Sequence, residues 1–164
     1  MALEDDIATL SQAPLFNLLE KDALRLVAFA SETRSYREGD VLFKKGDRSD
    51  GGYVVTRGSI ALDAAEDGSP AVFVAGPGAL VGQAALFARI ERRATATAQE
   101  PSTIIRVTPS LMRRVLEEFP DAAAAIHEVM VEELTRLTEG LERVRQQLLA
   151  IDGEESPAVP QNDK

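Results

Sequence analysis

Two runs of this 164-residue chain hold the residue types that bind a phosphate: Val81-Gly82-Gln83-Ala84-Ala85-Leu86 and, a few positions on, Arg92-Arg93-Ala94-Thr95-Ala96-Thr97-Ala98. A glycine that opens a short helix leaves the first amides unpaired and pointing at whatever sits before them. A guanidinium arriving at the start of a strand can close over the same anion. Glycine and arginine are each common, so the order of the two runs carries more than either residue. A plainer account pairs Arg92 with Glu91 or Glu100 at the surface and makes Gln83 an ordinary helix-start residue.

Other chemistry is thinly represented. The chain has no cysteine and a single histidine, His127, which removes disulfide frameworks, zinc knuckles and thiol nucleophiles. One histidine is also too few for a metal-binding barrel enzyme. Asp5-Asp6, Glu117-Glu118 and Glu132-Glu133 are neighbours in sequence, and on a helix neighbours diverge by about 100°, so these pairs do not converge on a substrate. No nucleophile elbow, Walker loop or dinucleotide fingerprint is present. The chain reads as a non-enzyme with no catalytic residues, no metal and no cofactor.

The elements that position the two runs fall into three zones. Residues 3–30 are helical in pieces: Ile7, Leu10, Leu15, Leu18 and Leu19 recur at helical spacing across a break at Pro14, and Asp22–Phe29 forms a second piece. From about residue 31 to 107, glycine and aspartate turns arrive every several residues. Between them lie short β-rich runs: 41–43, 53–56, 59–64, 71–75, 94–99 and 103–107, with Asp67-Gly68 as a hairpin turn. This spacing predicts a sandwich or barrel. Helices return at Thr108, which can cap, with Pro109 in the first helical position and Leu111, Met112, Val115, Leu116 and Phe119 on one face.

A long helix is predicted from about Asp121 to Ile151. His127, Met130, Leu134, Leu137, Leu141, Val144, Leu148 and Ile151 alternate in steps of three and four, which is a heptad seam. The expected partner is the same helix of a second chain, giving a twofold dimer through Met130, Leu134, Leu137, Leu141, Val144 and Leu148. The alternative packs the seam on the chain's own β-domain. Gly140 interrupts it and weakens the helix by about 1 kcal/mol relative to alanine.

Charge restricts the partners. With 27 acidic and 18 basic residues the formal charge is −9, which repels DNA and anionic membranes unless basic residues cluster. The basic clusters, Lys44-Lys45, Arg92-Arg93 and Arg113-Arg114, are only two residues long, and tryptophan is absent. The uncharged stretch Ala71–Ala88 contains Gly76-Pro77-Gly78 and Gly82, which break a membrane-spanning helix. A signal peptide is not evident either, so the expected location is the cytoplasm. The expected organisation is one domain over residues 1–151, with the barrel at about 31–107, C-terminal helices at about 108–151, and a disordered acidic tail at 152–164.

In this order, the elements and the 82–98 stretch resemble the cyclic nucleotide-binding domain family, which includes catabolite activator proteins, regulatory subunits of cAMP-dependent kinase and cyclic-nucleotide-gated channels. The likeness runs from about Pro14 to Leu148 and includes Gly39, Gly46, Gly58, Gly78 and Tyr53. It implies an α+β fold: a cupin-like double-stranded β-helix, or jelly-roll barrel, flanked by N-terminal helices and a long C-terminal helix. The family's phosphate-binding cassette reads approximately Phe-Gly-Glu-x-Ala-Leu, then Arg-x-Ala-Thr-Val-x-Ala. By resemblance the ligand residues are Gly82, Gln83, Ala84, Ala85, Arg92, Arg93 and Ala94, with Arg92 on the cyclic phosphate, the Ala84 and Ala85 amides helping, and Arg93 as the alternative.

Two departures stand out. Gln83 replaces a glutamate that accepts from the ribose hydroxyl. An amide carbonyl can still accept, at a loss of about 1 kcal/mol of charge assistance, near tenfold in affinity. Arg93 replaces a small residue, and strand alternation would turn it outward. The Thr-Ser pair of the catabolite-activator pattern aligns with Leu137-Thr138, making Thr138 a base contact by resemblance. The function implied is a cAMP- or cGMP-type sensor acting through a protein partner; the alternative is a dimeric scaffold that has lost its ligand. A catabolite-activator transcription factor would need a DNA-binding domain after the long helix, and only a short acidic tail follows Ile151.

Overall fold

The computed structural model describes residues 2–65 and 73–154, with the backbone alone at 2 and 152–154. Contacts divide the chain into two compact units, Met1–Ala124 and Ala125–Lys164.

Among the described residues the first unit is built on eight strands: β1 (Glu32–Tyr36), β2 (Val41–Phe43), β3 (Gly52–Arg57), β4 (Ile60–Asp63), β5 (Phe73–Ala75), β6 (Leu80–Val81), β7 (Thr95–Ala98) and β8 (Ser102–Val107). They form two antiparallel four-stranded sheets, ordered β1-β8-β3-β6 and β2-β7-β4-β5. That order is the jelly roll expected from the sequence. The core between the sheets is Tyr53, Val55, Ile60, Ala75, Val81, Ala96, Ala98 and Ile104. In β7 the sequence Thr-Ala-Thr-Ala alternates half-buried and buried, so two alanines face the core and let the sheets approach.

On the other face of the first sheet, Val54 and Ile105 are register partners and both are fully buried. The helix α1 (Ala2–Leu10) lies against β3, and α2 (Lys21–Ala30) packs on α1 and on α3 (Pro109–Glu118). Between α1 and α2, a short 3₁₀ turn at Phe16–Leu18 buries Phe16. Thr108 caps α3 as the sequence indicates: its hydroxyl accepts from the Leu111 amide at 3.1 Å, with Pro109 in the first turn.

The six β-rich runs read from the sequence correspond to strands, with β5 beginning at Phe73 among the described residues. Two further strands lie outside those runs, β1 for want of apolar residues in alternation and β6 for want of length. β1 is Glu-Thr-Arg-Ser-Tyr and has no buried residue, and β6 is two residues long. The expected Asp67-Gly68 turn lies outside the described residues.

The second unit holds most of α4 (Pro120–Glu154), which runs past Ile151 through the first residues of the expected tail; residues 155–164 lie outside the described ones. Leu134, Leu137, Leu141, Val144 and Leu148 are exposed by 62, 65, 71, 51 and 57% in the single chain, and Met130 is half-buried. His127 is exposed. Among the described residues no helix is long and apolar enough to cross a membrane.

Candidate functional site

Gly82 makes the site possible. Its φ of +81° lies in the left-handed region, and it turns the chain from β6 into a four-residue 3₁₀ helix, Gln83–Leu86. A Cβ at Gly82 would sit 2.6 Å from Nη1 of Arg92. The missing side chain is therefore the space that the guanidinium fills. The short helix is seated from below by close contact: Leu86 is fully buried, and a Cβ at Gly52 would meet it at 2.5 Å.

Arg92 is inside the protein, only 4% exposed. Its backbone is fixed on both sides, the amide donating to Asp47 O at 2.8 Å and the carbonyl accepting from the Gly46 amide at 2.8 Å. The side chain stacks on aromatic faces, with Cζ 4.0 Å from the Phe43 ring centre and 5.2 Å from that of Tyr53. Such cation–π contacts contribute roughly 2 kcal/mol when desolvated. Nη2 donates to Gly51 O at 2.7 Å and lies 3.5 Å from Asp50 Oδ1. Nε is buried and has no hydrogen-bond partner among the described residues. A buried donor left unpaired costs about 1–3 kcal/mol, more on a charged group, and such groups in native folds call for a function.

Behind Arg92 lies a charged network. Tyr53 donates its hydroxyl to Asp50 Oδ1 at 2.7 Å, and Arg34 Nη1 reaches Asp50 Oδ2 at 3.2 Å. Arg106 bonds Glu32 at 2.7 Å and the Asp50 carbonyl at 2.9 Å. Burial works to raise the Asp50 carboxyl, but the Tyr53 hydroxyl, Arg34 and Arg106 together hold it below the ordinary value. Burial, then the bond to Asp50, pushes the Tyr53 phenol from 10.0 up to about 12.

A cavity of about 790 Å³ opens over this arrangement. Gly82, Gln83 and Ala84 line one side and Arg92, Arg93 and Ala94 another, with Phe43, Leu62 and Lys45 completing much of the wall. The two sequence runs thus meet around one hollow, whose size is typical of small-molecule sites. Arg92 is buried and Arg93 exposed, but residues 92–94 lead through a bend ahead of β7 rather than strand, and Arg93 lines the cavity instead of turning away from it. Ala85 differs from the other candidates. It is fully buried, and its amide donates to Gly82 O at 3.0 Å, closing the helical turn. Gln83 is half-buried. Thr138 belongs to the second unit, where it is exposed and donates its hydroxyl to the Leu134 carbonyl at 2.8 Å.

Phe43, Asp50 and Gly51 were not found by sequence reasoning. They lie over 40 positions from Arg92, and only Asp50 has a local signal, its place before the glycine pair 51–52.

Comparison with known proteins agrees with this architecture. The model of the cyclic nucleotide-binding domain matches residues 33–119. A cyclic nucleotide-binding-like protein from Brucella abortus is 36% identical, with 69% of this chain and 98% of that one covered and a TM-score of 0.62. The N-terminal domain of a transcriptional regulator from Streptomyces coelicolor is 27% identical, with 81% and 94% covered and a TM-score of 0.74. The regulatory domain of the Toxoplasma gondii cAMP-dependent kinase, crystallised with cAMP, is 26% identical, with 70% and 44% covered and a TM-score of 0.63. A curated potassium channel protein from Rhodopseudomonas palustris is 22% identical over 120 residues; the chain spans 29% of that protein's length. The jelly-roll order, the glycine turn over a buried arginine and a family model spanning residues 33–119 lead to one assignment: the chain belongs to the cyclic nucleotide-binding domain family.

Proposed function

We propose that this chain is a non-enzymatic receptor module for a cyclic nucleotide of the cAMP or cGMP type, passing its occupancy to a protein partner. The observation that carries this reading is Arg92: 4% exposed, beside the glycine turn, at the cavity, with a buried Nε that has no partner among the described residues. An anionic ligand would supply the missing acceptor. Charge-assisted hydrogen bonds of this kind contribute about 1.5–3 kcal/mol each. Gln83 stands at the cavity wall where a ribose hydroxyl would find an amide acceptor.

The test is titration calorimetry with cAMP and cGMP. The expected result is saturable binding that weakens at least about tenfold in Arg92→Gln and tightens about tenfold in Gln83→Glu, where a charged acceptor replaces a neutral one. Absence of heat with the folded wild type at millimolar ligand would reject the receptor reading.

A second reading is a dimeric scaffold without a ligand, favoured by Gln83 and by the apolar Leu137 where a hydroxyl would contact a base. Both readings include self-association through α4. The exposed leucines form one stripe, and in a parallel pair the flanking positions set Glu133 against Thr138 and Gly140 against Arg145, so like charges do not face each other. DNA is not among the proposed partners, given the formal charge of −9.

A further inference from the structure

Taking the cavity as a nucleotide site, as proposed above, we propose that its preferred ligand carries two phosphate groups rather than the one of a cyclic mononucleotide. The cavity is lined by three cations, Lys45, Arg92 and Arg93, against one carboxylate, Glu91. This excess of positive charge belongs to a chain whose formal charge is −9, so it is local. The network behind the cavity does not cancel it. There, Arg34 and Arg106 match Glu32 and Asp50 charge for charge, so the network adds no net negative charge beneath Arg92.

The two arginines also address different places. Arg92 turns inward, committed to Gly51 O and the Phe43 ring. Arg93 follows it in a bend before β7 and is exposed at the cavity, with no ion pair among the described residues. Lys45 Nζ donates to Ala64 O at 2.8 Å, a neutral acceptor that leaves its charge uncompensated among the described residues. One phosphate occupies Arg92; a second finds Arg93, with Lys45 also on the wall. A glutamine at position 83, in place of a carboxylate, removes a negative charge that would repel the second phosphate. The class is thus a nucleotide with two phosphate groups, either as separate phosphodiesters or adjacent on one nucleotide.

The experiment compares cAMP, cGMP, cyclic di-AMP, cyclic di-GMP and ADP by calorimetry against the wild type, Arg93→Gln and Arg93→Ser, with melting curves to establish that the variants fold. A two-phosphate ligand is expected to bind at least about tenfold tighter than cAMP and cGMP, with a steeper salt dependence. Both Arg93 variants should remove most of that preference. A cyclic dinucleotide as the tight ligand places the phosphates apart; ADP places them together. If cAMP or cGMP binds as tightly as the two-phosphate ligands, or if the preference survives loss of Arg93, this inference is overturned and the receptor reading stands. If no nucleotide binds, both are overturned.

Discussion

Adding one methyl group at Gly82 should separate backbone strain from loss of the anion site. The residue has φ +81°, and an L-residue there costs about 1–2 kcal/mol. Gly39 has φ +88° with nothing within 4 Å of a Cβ, whereas the Cβ at Gly82 would stand 2.6 Å from Arg92 Nη1. Gly39→Ala therefore measures strain alone. Gly82→Ala adds displacement of the guanidinium, since the flexible side chain yields before the backbone. For a chain of this size, 1–2 kcal/mol lowers the melting temperature by roughly 2–8 °C, and both variants should show it. The binding consequence differs. Moving Arg92 forfeits a charge-assisted bond of about 1.5–3 kcal/mol, or roughly 10–150-fold in nucleotide affinity, in Gly82→Ala only. A readout without ligand is the Arg92 Nε–H resonance, shielded from solvent exchange in the wild type and in Gly39→Ala but fast in Gly82→Ala. Equal affinity and equal exchange in the two variants would refute the claim that Gly82 is kept empty for Arg92.

Three further outcomes are expected. Tyr53 has its phenol raised from 10.0 to about 12, so the folded state favours the protonated form; the stability from this group is complete below pH 10 and is lost as pH climbs toward 12. Melting curves across that window should lose this alkaline decline in Tyr53→Phe. Asp50 has the opposite sign: its carboxyl is held below 3.8, so its contribution is present above that pH and fades as pH falls below it, a fade that Asp50→Asn should abolish in acid melts. Leu141→Glu places a charge in the middle of the exposed α4 stripe and should yield monomers by sedimentation; a variant that stays dimeric would mean that another surface pairs.

The legible parts of the molecule were those where apolar residues alternate with turns. β3, β4, β7 and β8 bury one or both faces in the jelly-roll core, so their sequences carry the period directly. β1 was silent because it is an edge strand whose outward side chains, Glu32 and Arg34, make ion pairs instead of apolar contacts. The same contrast holds at the site. Gly82 and Arg92 were readable because glycine and arginine have few substitutes in their roles. Phe43 was readable only as a strand residue, since nothing local announces that an aromatic ring will lie 4.0 Å from a guanidinium 49 positions later. Ala85, a ligand amide by resemblance, has its N–H bonded to Gly82 O in the 3₁₀ turn, a local closure that its place in the sequence does not announce.

The double backbone tether of Arg92 to the Gly46–Asp47 turn bears on kinetics. With that stretch of main chain ordered at folding, capture of an anion there requires no loop to organise during the encounter. Association should proceed in one phase at a rate set by diffusion and electrostatic attraction. Substitutions around the hollow that leave its charge unchanged should then alter residence time far more than the speed of arrival.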